Sequence, residues 1–75
     1  MPSLVIWHKE TGEILACMQK PYGTAPEPSI ERTFAHRPDL WNKLESAWID
    51  ENLTTLQAQS ELEIIGGRPV RIEKA

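Results

Sequence analysis

The first twenty residues constrain the fold most, because they predict a β-hairpin that is apolar on both faces. In SLVIWHKETGEILACMQK, two apolar runs flank a turn, and Gly12 suits the left-handed position that closes a three-residue loop over positions 10–12. The expected cross-strand pairs are Lys9 with Glu13, His8 with Ile14, Trp7 with Leu15, Ile6 with Ala16, Val5 with Cys17 and Leu4 with Met18. A half-exposed hairpin alternates apolar with polar residues, so this one requires cover on both sides.

One face of this hairpin carries the patch Val5, Trp7, Leu15 and Cys17. A single helix packed on a small sheet cannot cover both faces. Either a second helix, such as the segment that contains Phe34, covers the patch, or another protein chain does. Large apolar patches mark contact surfaces, and tryptophan is favoured at their centres. We therefore predict that the patch is a protein interface.

The segment ELEIIGGRPVRIEK predicts a second hairpin over residues 61–73. A two-residue turn of Gly66 and Gly67 mixes apolar and charged groups on one face. A three-residue connection that includes Arg68 separates the faces, and this register is therefore expected. Its cross-strand pairs are Ile64 with Val70, Leu62 with Ile72 and Glu63 with Arg71.

The middle of the chain reads as a proline-rich connector over 20–28 and a helical region over 29–59. A short turn of helix is expected in SIERTFAH, with Ser29 as the cap and with Ile30 and Phe34 on one side. The main helix is expected in RPDLWNKLESAWIDEN, with Pro38 at its first position. Its apolar stripe comprises Leu40, Trp41, Leu44, Ala47 and Trp48. Residues 53–60 suit either a helix or a long strand, and a helix or loop to Gln59 is favoured.

These elements predict one domain, residues 1–75, of the α+β class. The expected architecture has two layers, with a small antiparallel sheet built from the N- and C-terminal hairpins and packed against one main helix. A chain of 75 residues is near the lower size limit for a single apolar core, so its stability alone should be small.

Composition excludes several classes of function. The net charge of −3 gives no electrostatic footprint for nucleic acid, and no apolar run approaches the length of a membrane span. The start, Met1-Pro2-Ser3, lacks the features of a signal peptide. A single cysteine fits reducing surroundings, so a cytoplasmic location is expected.

No reaction is visible in the sequence. The soft metal ligands, His8, Cys17 and His36, are scattered over three elements without a local pair. Cys17 in an apolar strand should have a raised rather than a lowered pKa, which argues against a nucleophile, although a small thiol enzyme is the third hypothesis. The glycine pair lacks the helix and lysine of a phosphate-binding loop. We therefore expect no catalytic residue, no cofactor and no metal.

The strand that runs into KETGEIL, the proline-containing connector and the terminal IIGGRPVRIEK resemble small accessory proteins of tailed bacteriophages. In such proteins, short strand-turn-strand units attach to tail, baseplate or head-tail assemblies. The resemblance covers the two hairpins and not the tryptophan-bearing segment between them. It implies a host cytoplasm or a virion as the location.

The function expected from the sequence is a non-catalytic protein-protein interaction module that acts in an assembly. Its partner is either a second copy, a larger assembly or a host protein, and neither nucleic acid nor membrane. The alternative is a small phage-encoded inhibitor that binds a host protein.

Overall fold

Two antiparallel sheets and three short helical segments make up the described part of the chain. The computed structural model describes residues 2–20, 23 and 28–72, so most of the predicted connector and the last residue of the predicted C-terminal hairpin lie outside it. The elements are β1 (Ser3–His8), β2 (Ile14–Gln19), α1 (Ile30–Thr33), a 3-10 helix (Pro38–Lys43), β3 (Leu44–Ile49), α2 (Thr55–Glu61), β4 (Leu62–Ile65) and β5 (Arg68–Arg71). The prediction of a mixed fold with antiparallel sheets and helices is confirmed at this level.

The first strand is the centre of the larger sheet, whose order is β2-β1-β3. Residues 3–7 of β1 are all buried. A strand buried on both faces needs hydrogen-bond partners along both edges, because unpaired buried backbone groups are costly. The hairpin partner β2 supplies one edge, and β3 supplies the other.

The predicted main helix over residues 38–52 is wrong. Only a 3-10 helix begins at Pro38, and the chain changes to strand at Leu44. The apolar residues from Leu40 to Trp48 fit the period of a helix, but residues 44–49 of the same segment form a strand. The unpaired edge of β1 decides between the two, because β3 satisfies a row of backbone groups that a helix could not reach.

The N-terminal hairpin forms, with an irregularity close to its turn. Leu4, Val5 and Ile6 have the partners expected from the sequence, whereas Trp7 lies opposite Ile14 instead of Leu15. The register shifts between Ile6 and Trp7, as in a β-bulge in which two residues oppose one.

The shift also changes the loop. The His8 N–H donates to the Glu13 carbonyl at 2.9 Å, so Glu13 lies against His8 rather than Lys9. Gly12 has the expected positive φ, 73°. The bulge moves Ile14 into the core beside Trp7 and sends Leu15 to the opposite face.

The C-terminal hairpin turns on two residues rather than three. Gly66 and Gly67 have φ of 62° and 76°, the two positive angles that a type I′ turn requires and that match the twist of the flanking strands. The expected three-residue connection is therefore wrong. The observed pairs are Leu62 with Arg71, Glu63 with Val70, Ile64 with Pro69 and Ile65 with Arg68.

This register places Leu62, which is buried, and Arg71, which is exposed, on the same face of the hairpin. The arrangement is accommodated because the Arg71 guanidinium lies at the rim, where it pairs with the carboxylates of Glu51 and Glu61. The three-residue connection was expected because it keeps apolar and charged side chains on different faces. The ion pairs of Arg71 allow a charged side chain on the same face as Leu62, so this separation is not required.

Both faces of the larger sheet are covered by the chain itself. We call one side the α2 face, because α2 and the residues that flank it pack against Val5, Trp7, Ile14 and Cys17. The other is the α1 face, where Leu4, Ile6 and Leu44 contact residues from α1 and the 3-10 helix. The expected two-layer sheet with strands from both hairpins is therefore corrected: the hairpins lie in separate sheets, and helical segments cover both sides of the larger one.

The short helix that was predicted in SIERTFAH is confirmed and corresponds to α1. It begins after Ser29, whose hydroxyl accepts a hydrogen bond from the Arg32 N–H at 3.2 Å. Ile30 and Phe34 both pack on the α1 face. The segment containing Phe34 thus covers the side of the hairpin opposite to Trp7.

Candidate functional site

The predicted interface patch lies largely in the interior. Val5, Trp7 and Cys17 are 0%, 2% and 6% exposed, and they pack beneath the chain's own α2. Leu15 lies half-buried on the α1 face. Of the two explanations left open by the sequence, cover by a local helix is the one that the structure shows, with α2 as the helix. Val5, Trp7 and Cys17 are therefore not available as a surface for another chain.

The surroundings of Cys17 are those of a structural thiol. Its Sγ donates to the Leu53 carbonyl at 3.4 Å. Burial raises the pKa of the Cys17 thiol, and a hydrogen bond with Ser3 opposes this only in part. A reactive cysteine needs the opposite environment, one that stabilises the thiolate.

The described residues show no grouping typical of metal chemistry. Within ranges 2–20 and 28–72, no three side chains of His, Cys, Asp or Glu come close enough together to hold a metal ion. A shallow cavity of about 380 Å³ lies between the first hairpin turn and α2. Its lining residues are Gly12, Glu13, Ile14, Gln59, Leu62 and Glu63. None of these six has a basic, hydroxyl or thiol side chain.

The two outer edges of the larger sheet differ. Side chains of α2 occupy part of the edge of β2. Thr55 Oγ1 accepts from the Cys17 N–H and donates to the Cys17 carbonyl, both at 3.2 Å, and Gln59 Nε2 donates to the Ile14 carbonyl at 2.9 Å. These contacts replace the hydrogen bonds that another strand would otherwise make there.

Among the residues that the structure describes, the outer edge of β3 is open. The Lys9 N–H donates to the Lys43 carbonyl, which shows that odd-numbered residues of this ladder bond inward. Alternation along an antiparallel ladder then directs the backbone groups of Leu44, Ser46 and Trp48 outward. We call these outward groups the β3 edge. Across the ranges given above, no backbone hydrogen bond from another segment reaches Ser46 or Trp48.

A large aromatic side chain stands beside this open edge. Trp48 is 43% exposed, although it lies opposite the buried Leu4. Trp41, in the preceding 3-10 helix, is partly exposed as well, and its indole N–H donates to the Phe34 carbonyl at 2.9 Å. Trp41 is thus fixed to its own chain, whereas the Trp48 side chain makes no hydrogen bond within the described residues.

Opposite charges flank the β3 edge. Lys43 precedes β3 and Asp50 follows it, and both are exposed. Neither has an ion-pair partner within 4 Å among the described residues, although Lys43 interacts electrostatically with Asp39. The strand therefore has a basic end and an acidic end.

The sequence reasoning missed the β3 edge because it assigned this segment to a helix. One feature of the sequence indicated a third strand: the residues of β1 are apolar on both faces, so the strand must be buried on both sides. A strand with two apolar faces is a central strand, and a central strand requires a second neighbouring strand besides its hairpin partner. The segment with Trp48 supplied it.

Comparisons with protein-family models, with curated proteins and with solved structures found no significant match to this chain. One further observation concerns membranes: none of the helices among the described residues is long and apolar enough to cross a bilayer.

Proposed function

We propose that this chain is a non-catalytic protein-protein interaction module that binds through the β3 edge. The observation that carries the proposal is the contrast between the two sheet edges. Polar side chains from α2 occupy the edge of β2, whereas the outward backbone groups of Ser46 and Trp48 have no partner in the described chain.

An open strand edge is a template for another strand. Its N–H and C=O groups supply affinity through main-chain hydrogen bonds, and pockets for alternate side chains supply specificity. Trp48 stands at this edge, and tryptophan is enriched among the residues that carry most of the energy of an interface. Strand addition at β3 is therefore the binding mode that this surface favours.

Two biological settings suit such a module, and both remain proposals. As an accessory component of a phage virion, the chain acts at fixed stoichiometry within a larger assembly. As a phage-encoded inhibitor of a host protein, it remains a soluble monomer until it meets a tight-binding partner. The two settings differ in solution behaviour and not in the surface used.

The test is a selection of extended peptides from a random display library against the purified protein. Two variants make it specific. Ser46→Pro removes an outward N–H and places a ring at the edge, which an edge strand tolerates. Ser46→Ala, the matched control, changes the side chain but leaves the backbone donor in place. We expect the selected peptides to bind the wild type and Ser46→Ala and to lose binding to Ser46→Pro.

Hydrogen exchange of single amides shows where the peptides bind. In the monomeric protein without peptide, the amides of Ser46 and Trp48 should exchange faster than those of Glu45 and Ala47, which bond to β1. A bound peptide should slow exchange at Ser46 and Trp48. Peptides that bind Ser46→Pro equally well contradict the proposed function. So does a selection without any binder that depends on this edge, if light scattering shows that the protein is a monomer.

A further inference from the structure

We infer that the strand added to the β3 edge is β3 of a second copy of this chain, in an antiparallel dimer with Ser46 on the two-fold axis. This inference rests on the proposed function and names its partner. A two-fold axis brings the same surface of both copies together, so the surface must complement itself. Three features of β3 meet this condition: its backbone, its side chains and its charges.

The backbone condition concerns which residues bond outward. In an antiparallel ladder, hydrogen-bonded pairs form only between residues whose N–H and C=O groups face each other. On β3 these are the even-numbered residues. With Ser46 opposite Ser46 of the second copy, Leu44 lies opposite Trp48, and all of the outward groups of β3 gain partners.

The side-chain condition selects the same register. Leu44 and Trp48 share the α1 face, and Leu44 belongs to its buried cluster. Each Trp48 then covers the end of the other copy's apolar cluster, which removes its exposed ring from water. Sliding the axis to Ala47 would instead set Leu44 against Asp50, an apolar residue against a charge.

The charge condition follows from the antiparallel direction. Lys43 of one copy lies opposite Ile49 of the other, next to Asp50. The charges of Lys43 and Asp50 from the two copies therefore lie near each other at both ends of the paired strands, although the two residues are not a direct cross-strand pair. Opposite charges at the ends of paired strands favour this direction over a parallel one.

The assembled sheet has a defined order. Two three-stranded sheets join into one that runs β2-β1-β3-β3-β1-β2. The α1 faces lie on one side of the joined sheet and the α2 faces on the other. The two Trp48 rings lie on the α1 side, near the axis.

Light scattering over a wide concentration range tests the dimer with the full chain. We expect the wild type and Ser46→Ala to have twice the mass of one chain. Ser46→Pro should have the mass of one chain and should keep the circular dichroism spectrum of the wild type. Trp48→Ser should weaken dimerisation by at least about tenfold, as the loss of a central aromatic contact does.

Cysteine cross-linking tests the register, in a Cys17→Ala background that has no other thiol. Residues of a hydrogen-bonded pair have Cα atoms about 5.5 Å apart, within the range of a disulfide. Ser46→Cys should therefore form a covalent dimer on mild oxidation. Glu45→Cys, the control, should not, because its two copies are offset along the strands and lie beyond about 7 Å.

The outcomes separate the two proposals. A wild type that stays a monomer at all concentrations, yet binds selected peptides at the β3 edge, overturns the dimer and leaves the proposed function standing. A dimer that persists in Ser46→Pro overturns the inference, because another surface then holds it together. If Ser46→Pro fails to fold, the cross-link decides: a Glu45→Cys dimer without a Ser46→Cys dimer also overturns the inference.

Discussion

At the scale of single residues, the three tryptophans have different roles that their spacing does not reveal. Trp41 and Trp48 are seven positions apart, which is the spacing of one helical face, and this predicted that at least one of them packs on the sheet. Instead Trp7, the residue assigned to an interface, is the one that the chain buries completely. Trp7 is buried because β1 is the central strand of the sheet. The apolar residues around Trp7 indicate this position better than the spacing of the tryptophans does.

A main helix with Trp48 in the core would make Trp48→Ala strongly destabilising. The observed fold predicts instead that Trp7→Ala is the more destabilising of the two substitutions. Trp7→Ala should lower the free energy of unfolding by about 3 to 5 kcal/mol, because it empties a buried aromatic site. Trp48→Ala should cost clearly less in the monomer, since Trp48 is 43% exposed and Trp7 only 2%. Urea unfolding at low protein concentration measures both. Equal losses would show that Trp48 is a core residue.

At the scale of elements, α2 acts as much through its polar side chains as through its apolar ones. The helix begins at a capping box: Thr54 accepts from the Gln57 N–H, and the Gln57 side chain accepts from the Thr54 N–H. The capping box can be recognised in the sequence LTTLQ. It would have favoured a helix over a strand for residues 53–60. The contacts of Thr55 and Gln59 with β2 were not readable, because they join positions far apart in the chain.

Thr55→Val tests the closure of the β2 edge by α2. Valine has the shape of threonine but cannot accept from the Cys17 N–H or donate to its carbonyl. Leaving such groups unpaired in a partly buried site should lower the free energy of unfolding by about 1 to 3 kcal/mol. Thr54→Ser, which keeps the helix cap, is the control and should change little. Unfolding in urea compares the three proteins, and an unchanged Thr55→Val would contradict this role.

At the scale of the whole molecule, the sequence predicted local elements better than their assembly. The first hairpin, α1 and the mixed fold class follow from turn residues, a cap and alternation. The third strand does not, because the preference of residues 44–49 for a strand comes from the free edge of β1 and not from their own pattern. The C-terminal register failed for a related reason: the clustering of Arg71 with Glu51 and Glu61 depends on a loop between β3 and α2.

The thiol of Cys17 should report on opening of the whole molecule, because the sheet, α2 and the Leu53 carbonyl enclose it. Burial raises the pKa of the Cys17 thiol in the folded state, so the folded protein retains a proton that the unfolded chain releases. Stability linked to this group is thus complete below the ordinary thiol pKa of 9.0 and is lost as the pH rises through the folded value.

We therefore expect the free energy of unfolding to fall above about pH 9 in the wild type and to fall less in Cys17→Ala. A thiol reagent at neutral pH should react slowly with the native protein and quickly in denaturant. Rapid reaction in the native state at neutral pH would instead indicate an accessible thiolate.

The obstructed edge of β2 would limit how far copies of this chain can join. A sheet that is open on both sides can keep adding strands, which is the geometry of a fibre. Here Thr55 and Gln59 obstruct addition at β2, and the pairing proposed at β3 would occupy the other edge of the sheet. In the proposed dimer, the short helix α2 would therefore favour a complex of two copies over a fibre.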